Sequence, residues 1–317
     1  MVRWGGLVTG PLHDDELTID EPLVRSLLAA SCPVYDGLPL RRLEASGSSN
    51  ALFRLGDDLL VRLPRQPGGT SAIESEQRWL PYVATALSVA VPEILAVGEP
   101  GFGYPERWSV VRWLEGEVPA GPREGEAPRS PLAGDLAAVV TALRALAVPD
   151  VALADRDLRW YRGEPLVRMD ESTRLAIAAC RSIDGLDLDH DGCASVWDDA
   201  MRLPGVTEEV APRWHHADLL AENLLVRDGR LAGVLDFGGL AVGDPTVDLA
   251  VAWDVLDPVA RNVFRALVGV DEATWLRGRA WALALGVMTF PYYWSTMPAR
   301  CAQRLAMARA ALADAAG

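Results

Sequence analysis

Between Trp214 and Asp248 the chain reads WHHADLLAENLLVRDGRLAGVLDFGGLAVGDPTVD. Two short apolar runs, Leu224–Val226 and Leu231–Leu235, flank Arg227-Asp228-Gly229-Arg230, turn chemistry that predicts a tight β-hairpin. Asn223 stands just before the first run and Asp236 just after the second. Closing the hairpin therefore brings an amide and a carboxylate to one mouth, whatever packs around them. Asp218 lies two residues after His216 and five before Asn223, and Asp236 is followed by Phe237-Gly238.

The chain on either side of this block differs in character. Residues 1–20 read as a loose leader. Asp20-Glu21-Pro22 then opens a helix with Asp at the N-cap and Leu23, Leu27 and Leu28 on one face. Leu38–Leu43 reads as a strand, and Ala51–Leu55 and Leu59–Leu63 form a hairpin around Gly56-Asp57-Asp58. A helix is predicted over Ser75–Leu87, followed by strands at Ala90–Val97 and Trp108–Trp113. Residues 115–131, rich in Pro, Gly and charge, read as a connection. Helices follow at Leu132–Leu146, Leu166–Arg181, Cys193–Leu203 and Pro245–Leu256, and continue to the C-terminus. The expected class is α+β, with a strand-rich lobe over residues 1–114 and a mostly helical lobe over 115–317.

Composition narrows the function. Forty-four acidic against 30 basic residues give a formal net charge of −14. That excludes the basic footprint of a nucleic-acid binder and suits a cationic partner. No apolar run approaches the ~18 residues of a membrane span. The N-terminus lacks a charged start followed by a long apolar core, so a cytoplasmic enzyme with no membrane partner is expected. The four cysteines are scattered without zinc-ligand spacing and read as buried free thiols, and no HExxH pattern joins the His215-His216 pair. Every basic residue is Arg; the chain has no Lys and only three Asn: Asn50, Asn223 and Asn262.

The 214–248 spacing is that of phosphoryl-transfer chemistry. Such chemistry needs phosphate charge neutralised by a hard cation, and Mg²⁺ takes one or two oxygen ligands from protein. Asn223 and Asp236 supply an amide and a carboxylate oxygen. Asp218 can accept or orient the proton of an attacking hydroxyl. His216 reads as a buried hydrogen-bonding scaffold for the loop. No Arg or Lys occurs between Asp218 and Val226, so nothing nearby in sequence ties up Asp218.

This block resembles the aminoglycoside phosphotransferase family, with its related macrolide and other small-molecule kinases of protein-kinase-like fold. Val61-Arg62-Leu63-Pro64-Arg65 is similar to the family strand that carries a phosphate-contacting basic residue. Glu74–Leu80 is similar to the helix whose Glu pairs with it, and Gly243-Asp244-Pro245 with Asp248 to the block after the metal-binding Asp. The likeness runs over roughly residues 35–290.

The resemblance implies a two-lobe kinase-like fold, with an antiparallel-sheet N-terminal lobe carrying one key helix. The implied reaction moves the γ-phosphoryl group of ATP or GTP, with Mg²⁺, to a hydroxyl of a small molecule. An aminoglycoside-like antibiotic leads as acceptor; a sugar or amino-alcohol kinase and a degenerate nucleotide-binding protein are the alternatives. Arg62 takes the place of the missing Lys, with Arg65 as competitor. Glu76 is its preferred partner over Glu74. Ser48 and Ser49, in the Ser46–Asn50 turn, are candidates for cradling phosphate, and Val111–Leu114 would be the hinge that meets the base. Asp155, Asp157, Glu164 and the acids from Asp184 to Asp191 are candidates for holding a cationic substrate, and Tyr292-Tyr293-Trp294 for walling it. Ala217, where the family commonly has Gly, and Leu220-Ala221-Glu222 before Asn223 depart from the pattern. Glu222 either tunes metal affinity or faces solvent.

Overall fold

The computed structural model describes residues 13–43, 49–123, 125–208 and 210–316. Two compact units divide the chain: Met1–Tyr82 with Ala90–Glu115, and Val83–Val89 with Gly116–Gly317.

In the first unit, α1 (Glu21–Ser31) begins where Asp20 Oδ1 accepts the Leu23 N–H at 2.9 Å. Five strands follow: β1 (Leu40–Arg42), β2 (Asn50–Leu55), β3 (Leu59–Pro64), β4 (Ile94–Gly98) and β5 (Trp108–Arg112). They form one antiparallel sheet in the order β1-β2-β3-β5-β4. Alternation buries Ala51, Phe53 and Leu55 on one face, where they join Val24, Leu27 and Leu28 of α1 in a single core. The helix α2 (Thr70–Ala84) lies between β3 and β4. It starts five residues before the expected Ser75, because the Glu106 carboxylate accepts the Gly68 and Thr70 N–H groups, each at 2.8 Å. A cap donated from 36 positions away leaves no local signal. β4 begins at Ile94 rather than Ala90, since Pro92 has no N–H to give a ladder.

The second unit is helical: α3 (Ser130–Ala145), α4 (Asp150–Leu153), α5 (Asp170–Cys180), α6 (His190–Ala200), α7 (Val251–Val255), α8 (Pro258–Val268), α9 (Glu272–Tyr293) and α10 (Pro298–Ala316). The expected helices over 166–181 and 245–256 each open with a 3₁₀ stretch, Leu166–Met169 and Pro245–Ala250. α9 buries side chains around much of its girth, from Ala280 through Val287, which marks it as the unit's central helix. The expected hairpin is present as β7 (Leu224–Arg227) and β8 (Arg230–Val234). A second pair, β6 (Arg213–His215) with β9 (Ala241–Gly243), was not expected, since three residues carry too little periodicity to read. The α+β class holds. All four cysteines are buried and free. Among the described residues no helix is long and apolar enough to cross a membrane.

Candidate active site

The loop leaving β6 is held by buried carboxylates. Asp248 accepts the His216 N–H at 2.7 Å and the Ala217 N–H at 2.8 Å. His216 Nε2 lies 2.9 Å from the Leu235 carbonyl, so it carries the ring proton, and Nδ1 accepts the Asp218 N–H at 3.3 Å. The ring packs edge-on to Phe237, with centroids 4.7 Å apart. His216 is thus a strut between the Asp218 loop and the strand that delivers Asp236. Ala217 takes φ +65° and Asp236 φ +56°, left-handed values that Gly accepts without steric cost. This gives the physical reason Gly is usual at the first of these positions.

Asn223 is turned toward Asp218. Its amide N–H groups reach the Asp218 backbone carbonyl at 2.8 Å and Asp218 Oδ2 at 2.9 Å. The Asn223 backbone carbonyl accepts the Leu235 N–H at 2.8 Å, so the feet of the β7–β8 hairpin meet beside Asp236. With the amide nitrogen directed at Asp218, the amide oxygen is the atom left to meet a cation. Among the described residues there is no cluster of three or more His, Cys, Asp or Glu able to hold a metal. An amide oxygen with one carboxylate fits Mg²⁺, which keeps most of its shell for water and phosphate, and does not fit a caged zinc.

Folding brings cations that spacing did not reveal. Nothing near Asp218 in sequence ties it up, but the Arg162 guanidinium, 56 positions away, binds Asp218 Oδ1 and also donates to the Ala217 carbonyl at 3.1 Å. Burial pushes the Asp218 pKa up, but Arg162, aided by Arg304 and His216, outweighs this and holds the carboxyl below its ordinary range. Glu222 is ion-paired rather than loose in solvent. Arg304 of α10 grips it, with Arg300 3.5 Å away, and Arg304 also reaches both Asp254 oxygens, at 3.2 and 3.3 Å. Asp254 in turn accepts the Ala221 N–H at 2.7 Å. Glu222 and Arg304 are therefore part of the scaffold under the loop. A charge at position 222, where the family pattern is neutral, was the one available hint that a cation must meet it.

In the first unit the neighbouring candidates have different partners. Arg62 binds Glu76, with Nη1–Oε1 at 3.2 Å and a closer Nη2–Oε2 contact, and both side chains are buried. Arg65 instead pairs with Glu16 and donates to the Asn50 carbonyl at 3.2 Å, while Glu74 pairs with Arg107 at 3.3 Å. Ser49 is exposed, and its carbonyl accepts the Arg65 N–H at 2.9 Å. Ser48 lies outside the described residues. Asp155 accepts the Asp157 N–H at 3.1 Å, and Trp294 Nε1 donates to the Asp184 carbonyl at 3.2 Å.

The chain matches the phosphotransferase enzyme family over residues 40–281. It belongs to that family. An aminoglycoside 3'-phosphotransferase of Escherichia coli is 30% identical over 88 residues, a match covering 27% of this chain and 32% of that enzyme. The chain therefore spans about a third of the curated relative's length. Among solved structures, the GDP and kanamycin complex of APH(2")-IIia superposes with a TM-score of 0.67 at 19% identity, covering 93% of this chain and 98% of that one. Macrolide 2'-phosphotransferase MphH from Brachybacterium faecium gives a TM-score of 0.59 at 22% identity, covering 91% and 97%. These likenesses show a shared, kinase-like phosphotransferase fold.

Proposed function

We propose that this protein transfers the γ-phosphoryl group of ATP or GTP to a hydroxyl of a small molecule, with an aminoglycoside-like antibiotic as the leading acceptor class. The observation that carries the reading is the state of Asp218: a carboxylate held at Oδ2 by the amide of Asn223, on a loop strutted by His216. Asp218 would orient the acceptor hydroxyl and take its proton as the new O–P bond forms and the bond from γ-phosphorus to the bridging oxygen breaks. Asn223 and Asp236 would hold Mg²⁺, which when bound neutralises phosphate charge. Arg62, steadied by Glu76, would contact the inner phosphates; a guanidinium keeps the charge of the absent Lys and adds bidentate geometry. Ser48 and Ser49 would offer donors to phosphate. The net charge of −14 suits a cationic acceptor, and the cytoplasm is the compartment this reading expects.

Nucleotide consumption against a panel of hydroxylated amines, aminoglycosides first, tests the reading. Asp218→Asn is expected to cut kcat by about a thousand-fold or more with little change in nucleotide KM. Turnover that survives this change would remove Asp218 from the chemistry. Nucleotide binding without turnover on any acceptor would instead mark a binding protein.

A further inference from the structure

The Asp218 carboxylate has two oxygens and both are engaged. Oδ2 accepts from the Asn223 amide at 2.9 Å, a bond internal to the loop. Oδ1, the oxygen left for an acceptor hydroxyl, is taken by Arg162. The pair is accessible enough for exchange: the side chains of Arg162 and Asp218 are 16% and 29% exposed.

The backbone carrying Arg162 is pinned. The Gly163 carbonyl accepts the Asp244 N–H at 2.8 Å, and the Gly163 N–H donates to the Trp160 carbonyl at 2.9 Å. A Cβ on Gly163 would stand 2.8 Å from the His215 ring, and one on Gly239 would stand 2.8 Å from the Trp160 ring, so these surfaces touch backbone to side chain. The side chain, by contrast, has partners besides the carboxylate. The Tyr161 hydroxyl accepts from Arg162 Nε at 2.9 Å, and the guanidinium carbon lies 4.6 Å from the Trp160 ring centre and 5.5 Å from that of Tyr161. An aromatic face can carry a guanidinium that has lost its carboxylate.

We propose that Arg162 is a latch on Asp218: it occupies Oδ1 until the acceptor displaces it, and so suppresses hydrolysis of the triphosphate by water. The inference rests on the reading of Asp218 as the base for phosphoryl transfer. Water brings no charge, so displacing Arg162 with water leaves a half-buried cation and a half-buried anion without each other. An acceptor with an ammonium group beside its hydroxyl replaces one cation with another, and the exchange is then nearly neutral. The latch thus favours cationic hydroxylated acceptors over water. In the reaction it suppresses, water attacks the γ-phosphorus, the bond to the bridging oxygen breaks, and the products are nucleoside diphosphate and inorganic phosphate.

The test compares wild type, Arg162→Gln and Tyr161→Phe in two assays: release of inorganic phosphate from ATP or GTP without acceptor, and transfer to kanamycin and other hydroxylated amines. Arg162→Gln is expected to raise acceptor-free hydrolysis about five- to twenty-fold relative to transfer, and to lower acceptor KM about three-fold or more because nothing need be displaced. Tyr161→Phe keeps the guanidinium but loosens its anchor, and is expected to raise hydrolysis about two- to three-fold. A purely structural Arg162 would lower both activities together. If Arg162→Gln does not fold, Tyr161→Phe decides, and unchanged coupling in that variant overturns the latch. If wild type transfers phosphate but Arg162→Gln, folded, hydrolyses no faster than wild type, the latch fails and the functional reading stands. If wild type neither transfers nor hydrolyses, both fall.

Discussion

Ala217 sits at φ +65° and is fully buried. A left-handed Ala carries strain of about 1–2 kcal/mol, partly offset by the methyl it buries and by the smaller unfolded-state entropy of Ala compared with Gly. Ala217→Gly is therefore expected to leave stability within about 1 kcal/mol of wild type. Ala217→Val, which adds a β-branch to a strained and enclosed backbone, is expected to cost about 2–3 kcal/mol. Urea unfolding of the three proteins checks this, and a harmless Val would refute the strain argument. Arg62 has its own test. If it contacts phosphate, Arg62→Ala raises nucleotide KM about ten-fold or more, and Glu76→Gln, which leaves the charge but loosens it, raises it less. An unchanged KM would mean that another residue grips the nucleotide.

Among the elements, α10 has a role that its position at the end of the chain does not suggest. Through Arg304 it meets Glu222 and Asp254, and Asp254 holds the Ala221 N–H in the loop between Asp218 and Asn223. Arg304→Met would leave two mostly buried carboxylates without their cation and is expected to cost about 3–5 kcal/mol. In the Glu222→Gln background the same change is expected to cost at least about 1 kcal/mol less, because one stranded charge is already gone. Chemical denaturation of wild type, both single variants and the double variant closes the cycle. Simple additivity would show that Arg304 and Glu222 are neighbours without coupling. The hairpin β7–β8 was readable because its turn residues and alternating runs are local. The Arg304 contact was not, since it spans 82 positions and depends on how α10 packs.

The stability of the whole protein should respond to acid through His215. This ring is buried, its Nδ1–H faces the Arg213 carbonyl at 3.1 Å, and Nε2 has no hydrogen-bond partner. Burial drives its pKa down to about 4, although the Arg213 carbonyl and Asp244 both favour the proton. A histidine with a depressed folded pKa lets the unfolded chain bind the proton first. Its contribution is full above about pH 6.5 and is lost as pH falls toward 4, about 2 kcal/mol of it by pH 4.5. Asp248 opposes this. Burial raises its pKa to about 6 against the opposing pull of His216 and two N–H bonds, so the folded state gains protons first between about pH 6 and 4. His215→Gln removes only the first effect. Its stability relative to wild type is expected to improve by about 2 kcal/mol between pH 7 and 4.5, measured by urea unfolding at each pH. Parallel curves would show that His215 does not titrate in this window.

The same contrast runs through the fold. Strand alternation, the N-cap at Asp20, the hairpin turns and the order His216, Asp218, Asn223, Asp236 depend on neighbours within a few residues, so they could be read along the chain. The start of α2, the β6–β9 pair and the partners of Asp218 and Glu222 could not. The strand pair is too short to show a period, and the others depend on a group brought from far away: Glu106, Arg162 or Arg304. Local spacing was enough to bring Asn223 and Asp236 to the two feet of one hairpin, because backbone geometry converts such spacing directly into position. Which cation meets each carboxylate was decided by packing, because charge pairing acts through space and a chain in which every base is Arg offers thirty indistinguishable candidates until it folds.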